Sequence, residues 1–124
     1  MHIILGEETA TAMREKYVVL ELDKIQLEEG GNVIPTFCVI GQEDIPLIEI
    51  AELERIKNLH RKLLENFYKK NWNFCEQALE HLHGRWKGTV NSFYDEISRR
   101  VAKYKDNDPG PDWNGIYKKF NSTN

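Results

Sequence analysis

Hydrophobic and polar positions alternate with two different periods along the chain, and the change falls between Gly41 and Pro46. Ahead of it the pattern is that of strands. A short apolar run at 2–5 ends at Gly6, and 7–15 predicts a short helix carrying Ala10 and Met13. From Tyr17 to Leu27, Val18, Leu20 and Leu22 fall on one face and Glu21 and Asp23 on the other, the alternation of a half-buried antiparallel strand. Glu29-Gly30-Gly31-Asn32 supplies the backbone freedom of a tight reversal, and Val33 to Ile40 returns as the second arm of a hairpin. Pro35 cannot donate a ladder hydrogen bond, which predicts an edge strand or a bulge there.

Beyond the change the period is helical. Over 51–70, Leu53, Ile56, His60, Leu63, Leu64 and Phe67 make one stripe, with Arg61, Lys62, Glu65 and Lys69 off it. Asn71-Trp72-Asn73 is a break. Asn73, with Glu76 three residues on, predicts the start of a second helix whose stripe is Cys75, Ala78, Leu79 and Leu82, and Gly84 suits its end. A third helix over 89–105 turns Val90, Phe93, Tyr94, Ile97, Val101 and Tyr104 to one face. Asp95/Arg99 and Glu96/Arg100 are expected as exposed pairs on the other. Short connections predict antiparallel neighbours. Residues 106–111 form a turn-rich linker, after which Trp113, Ile116, Tyr117 and Phe120 recur at helical spacing.

These elements predict a single α+β domain over 1–124. A small antiparallel sheet in the β-rich half, 1–44, packs on a three-helix antiparallel layer in 45–105, and a C-terminal segment within 106–124 docks on it. The chain's 124 residues suffice for a core without metal or disulfide staples. No internal repeat period is evident.

Charge changes the picture slightly. The net value is −3, the wrong sign for a protein that wraps nucleic acid or an anionic membrane. Residues 1–44 hold nine acids and three bases, net −6, whereas 45–124 hold eleven acids and fourteen bases, net +3. This split favours self-association. Cys38 and Cys75 have no paired spacing and fit reduced thiols. Ile3-Ile4-Leu5 is too short for an export signal, and no run approaches a membrane span, so the expectation is a cytoplasmic protein that contacts no membrane.

Four constellations bear on chemistry. His60 interrupts an apolar stripe, and a helical reversal near Asn71 sets it level with Leu82, beside His81 or His83. With a carboxylate, His60 and His83 are weak candidates for a metal site, against the reading of His60 as a hydrogen-bonded core histidine. Cys75 sits near a helix start, where an exposed thiol would be activated, but on its apolar face, where burial is expected. Glu21 and Asp23 share a strand face and could pair as acid and base, or simply be solvated. Lys69, Lys70, Arg85, Lys87, Lys103 and Lys105, with Trp72 and Trp86, have the residue types of a single-stranded nucleic-acid surface, yet they fall at alternate helix ends and do not form one patch. No catalytic residue and no cofactor is assigned. Trp113, Ile116, Tyr117 and Phe120 are assigned as an interaction face, and Trp113 is expected to be largely buried, with Asn121 to Asn124 loose.

Ile3-Ile4-Leu5-Gly6-Glu7-Glu8, Val18-Val19-Leu20-Glu21-Leu22-Asp23, Phe37-Cys38-Val39-Ile40 and the stretch from Asn71-Trp72 to Tyr94-Asp95 resemble a group of small proteins from tailed phages of marine cyanobacteria. The resemblance implies a phage-encoded protein in the host cytoplasm and carries no activity. Asn71-Trp72, Ala78, Phe93, Arg100 and Asp112-Trp113-Asn114-Gly115 resemble the helical tail that follows class III nucleotide cyclase domains, which implies no cyclase activity for these residues. The sequence thus predicts a non-enzymatic protein-interaction protein, forming a homodimer or another homo-oligomer. Its rivals are a small enzyme or metal-binding protein using His60 with a carboxylate or Cys75, and a nucleic-acid-binding module.

Overall fold

The computed structural model describes residues 1–118. Strand β1 (His2–Leu5) leads through Gly6 into helix α1 (Glu7–Met13), followed by the hairpin of β2 (Val18–Gln26) and β3 (Val33–Ile40). A 3-10 turn at Gln42–Asp44 and a single helical turn, α2 (Leu47–Ile50), connect to α3 (Leu53–Tyr68), α4 (Trp72–Leu82) and α5 (Asn91–Asp106). A two-residue strand, β4 (Tyr117–Lys118), ends the described chain. This is an α+β fold.

The sheet order is β1-β3-β2-β4, antiparallel except for β4, which runs parallel to β2 at Ile25 and Gln26. The sheet is therefore mixed rather than wholly antiparallel, because its fourth strand comes from the C-terminal segment. Strand β3 is central, and Pro35 is accommodated beside a bulge: the β2–β3 register slips between Glu21 and Lys24. Thr36 closes the bulge by donating its hydroxyl to the Asp23 carbonyl at 2.7 Å.

Every residue of β3 from Thr36 to Ile40 is buried, which a sheet covered on one side would not produce. Cys38 and Ile40 join the main core with Leu20, Leu22 and the helical stripes. Phe37 faces the opposite side, where Arg14 at the end of α1 stacks over its ring, 5.4 Å from the centroid. Helix α1 thus covers the second face, through the buried Ala10.

Contacts fix the directions of the long helices. Cys75 meets Leu63 and Trp72 meets Phe67, so α3 and α4 are antiparallel; Lys105 reaches Glu76 and His83 reaches Asp95, so α4 and α5 are antiparallel as well. The stripes read from the sequence are the buried faces. Helix α4 begins at Trp72, with Asn71 rather than Asn73 as the flanking residue, and the Asn71 amide bonds to the Asn66 side chain instead of capping the helix.

Between α4 and α5 the backbone is left-handed at Gly84, Trp86, Lys87 and Gly88, with φ between 54° and 88°. Gly84 adopts this freely, but Trp86 and Lys87 are strained by about 1–2 kcal/mol each. Complete burial of the Trp86 indole offsets the strain, together with the hydrogen bond from its Nε1–H to Tyr94 Oη at 3.2 Å.

The segment after α5 docks on its own chain as an extended strand, not as the helical stripe predicted over 113–120. Gly110 and Gly115 both hold positive φ, and a Cβ at Gly115 would lie 2.3 Å from Tyr68 Cδ1, so the glycine lets the backbone lie flat on that ring. Lys70 Nζ grips the segment's start through Asp108 Oδ1 (3.0 Å) and the Gly110 carbonyl (2.8 Å). Trp113 enters an aromatic cluster with Phe67, Trp72 and Tyr104, its centroid 5.3–5.7 Å from theirs, and is half-buried there. Ile116 is half-buried, and Arg100 lies 4.7 Å over the exposed ring of Tyr117. Phe120 and Asn121 to Asn124 lie outside the described residues.

Candidate functional site

His60 is held at the meeting point of sheet and helices. Its Nε2 lies 2.6 Å from the Glu21 carbonyl, on the β2 edge that β4 leaves uncovered, and its Nδ1 lies 2.9 Å from Tyr94 Oη. A carbonyl only accepts, so Nε2 carries the proton and Nδ1 accepts from the tyrosine hydroxyl. Tyr94 Oη in turn accepts from Trp86. The chain Trp86 → Tyr94 → His60 → Glu21 carbonyl is thereby directed from end to end, and its three side chains are all buried. Burial lowers the His60 pKa to about 4. The imidazole is neutral and structural, with both nitrogens engaged.

His83 lies elsewhere, half-exposed at the end of α4, where Nε2 meets Asp95 Oδ1 at 3.1 Å. The fold does not bring His60 and His83 to a common ligand position. Among the described residues, no group of three or more His, Cys, Asp or Glu side chains converges as a metal site would require.

Burial likewise raises the Cys75 thiol to about 12, and its weak contact is to the Leu63 carbonyl at 3.8 Å. Cys38, inside the sheet, is pushed up to about 12 by the same cause. Neither thiol is poised as a nucleophile. Glu21 and Asp23 are separated by the bulge. The Glu21 carboxyl stays beside α1, its pKa raised by burial and then by Glu7 against the lowering effect of Lys24. Asp23 turns to the helical face and receives a bidentate contact from Arg100, at 2.7 and 3.1 Å. The expected exposed Glu96/Arg100 pair is therefore an inward one: Arg100 is buried and bridges Glu96 (3.0 Å) to Asp23. Burial opposes the guanidinium charge, but the hydrogen bonds with Asp23 and Glu96 hold its pKa above the ordinary value. Asp95 pairs with His83 and Arg99 with Glu96, so the predicted Asp95/Arg99 pair is replaced.

The basic residues do not line one surface. Lys70 is engaged by Asp108, Lys105 by Glu76 (2.6 Å) and Arg85 by Glu49 (3.2 Å), and Lys103 leans over Tyr104. Trp86 is fully buried, which removes it from base stacking.

The exposed feature with the strongest physical signature was not singled out from the sequence: α2, Leu47-Ile48-Glu49-Ile50. Its polarity is inverted. Leu47 and Ile48 are each 87% exposed and Ile50 is 54% exposed, whereas Glu49 is 8% exposed. At about 100° per residue the three aliphatics span an arc of about 160°, and Glu49 points opposite its centre. Arg85, whose Nε donates to the His81 carbonyl at 3.2 Å, receives Glu49 Oε1 and so fixes which side of α2 faces inward; Glu49 Oε2 is buried with no hydrogen-bond partner. Beside α2 runs a groove of about 540 Å³ bounded by two stretches, 14–18 and 40–53. Tyr17, Val18, Ile40, Ile45, Leu47, Ile50 and Leu53 line it with Arg14 and Lys16. Ridge and groove together form an apolar surface of the kind that marks a docking site. The sequence signal was available in the run Ile45-Pro46-Leu47-Ile48-Glu49-Ile50, too short to show a period and lying where the two periodicities meet.

No protein-family model, curated protein or solved structure matches the chain. Among the described residues no helix is long and apolar enough to cross a membrane.

Proposed function

We propose that this chain is a non-enzymatic interaction protein that docks a protein partner on the α2 ridge and its neighbouring groove. The observation that carries the reading is the inversion of α2. Each aliphatic side chain left in water forgoes about 1.5–3 kcal/mol of burial, and three adjacent ones are left there while a carboxylate is buried beneath them. A covering surface recovers that free energy. The reading is also supported by where the rival chemistry lies: His60 and Cys75 are tied into the core by hydrogen bonds and burial. The resemblance to phage-encoded proteins suits an accessory role in the cytoplasm of an infected cell, as part of the same proposal.

Site-specific photocrosslinking tests it. A photoreactive residue at position 48 is expected to give protein adducts in expressing cells, and one at Lys62, on the outer face of α3, is expected to give none. Equal adduct yields at the two positions, or none at 48, would reject α2 as a docking surface.

A further inference from the structure

We infer that the occupant of the α2 ridge and groove is a second copy of this chain, related by a two-fold axis along the boundary between ridge and groove. The inference rests on the docking reading above and adds the identity of the partner.

An occupant of the groove alone, such as a small apolar ligand, would leave Ile48 in water, because Ile48 projects outside the groove lining. The partner must therefore present both a surface for the ridge and a projection for the groove. A second copy does both at once. A two-fold axis lying in the interface sets each position on one side of it against the opposite side of the partner, so each ridge faces the other groove.

Charge follows the same exchange. The stretch 14–18 carries Arg14, Lys16 and Glu15, whereas 42–53 carries Glu43, Asp44, Glu49 and Glu52 and no base. Within the chain, Glu49 and Glu52 are turned to Arg85. Lys16 on one bounding stretch, and Glu43 and Asp44 on the other, have no ion pair among the described residues. The two-fold exchange sets basic against acidic stretch twice per dimer, which favours this partner and disfavours a parallel alignment of like stretches.

The test is the mass of the purified full-length chain by light scattering over a concentration series, at low and moderate salt. The wild type is expected to approach twice the monomer mass. Ile48→Asp, at a position without internal contacts to lose, is expected to weaken association by about tenfold or more. Lys16→Glu and the pair Glu43→Lys/Asp44→Lys are each expected to weaken it alone, and an equimolar mixture of the two charge variants is expected to restore a dimeric mass. A wild-type monomer at the highest concentration, an unchanged dimer in Ile48→Asp, or no recovery in the mixture would each overturn the second-copy assignment. Adducts at position 48 in cells alongside a monomeric purified chain would sink this inference and leave the docking reading standing, whereas no adducts and a monomer would sink both.

Discussion

His60 and Tyr94, 34 residues apart, share a buried hydrogen bond of 2.9 Å between Nδ1 and Oη, and its direction is dictated by the Glu21 carbonyl on the other side of the ring. Because that carbonyl can only accept, the histidine has one usable tautomer. It joins the exposed edge of β2 to the centre of the helical layer.

Substitution His60→Leu leaves the Tyr94 hydroxyl and the Glu21 carbonyl without their partner. We expect a loss of about 1–3 kcal/mol in denaturant unfolding, with the same native mass. A melting temperature equal to or above that of the wild type would show that the ring contributes packing alone.

The same histidine makes stability depend on pH. Its folded pKa of about 4 lies below the ordinary 6.5, so between these values the unfolded chain takes up a proton that the folded chain does not. The contribution is complete above pH 6.5, declines as pH falls toward 4 and levels off below it, with an upper bound of about 3 kcal/mol. Unfolding curves at pH 7 and pH 4.5 measure the slope, and the difference between wild type and His60→Leu isolates this residue. A His60 ring resonance titrating near 6.5 in the native protein would contradict the assignment.

Arg100 and Asp23 are separated by 77 residues and meet through two nearly enclosed hydrogen bonds. Removing one partner strands the other charge, so Arg100→Met alone is expected to cost about 3 kcal/mol or more, and Arg100→Met with Asp23→Leu to cost less than the sum of the single changes. Additive costs in a thermal double-mutant cycle would mean that the two side chains act independently.

Gly115→Ala places a methyl group against the Tyr68 ring at a positive φ. The C-terminal segment is expected to lift, shifting Trp113 emission to longer wavelength and lowering the melting temperature. Truncation after Asp108 should reproduce the stability loss. An unchanged emission maximum in Gly115→Ala would show that the segment is held by Lys70 and Trp113 without the close approach at Gly115.

The two thiols supply a simpler check. Cys38 and Cys75 are buried, with pKa values raised to about 12, so a thiol-reactive dye at neutral pH is expected to label neither until denaturant is added. Stoichiometric labelling of the native protein would place one of them at the surface.

By itself the sequence determined the elements whose side chains repeat with a period. The alternation of Leu20 and Leu22 and the stripes through Ile56, Leu63, Phe67, Ala78, Leu82, Ile97 and Val101 identify core faces because each face repeats within a few residues. His60 was legible as an inward residue for the same reason. Tertiary structure decided what depends on a distant partner. The bulge after Glu21 turned Asp23 from its expected solvated face toward Arg100, and the Arg85 guanidinium turned Glu49 inward and the aliphatics of α2 outward. Trp86 entered the core through a left-handed turn that no local propensity favours, and 113–118 became a strand because Gly115 could lie against Tyr68 while Ile25 and Gln26 offered an open edge. Periodicity records only the face a residue shares with its near neighbours along the chain, whereas a buried charge or an inverted helical turn is settled by an ion pair or contact tens of residues away.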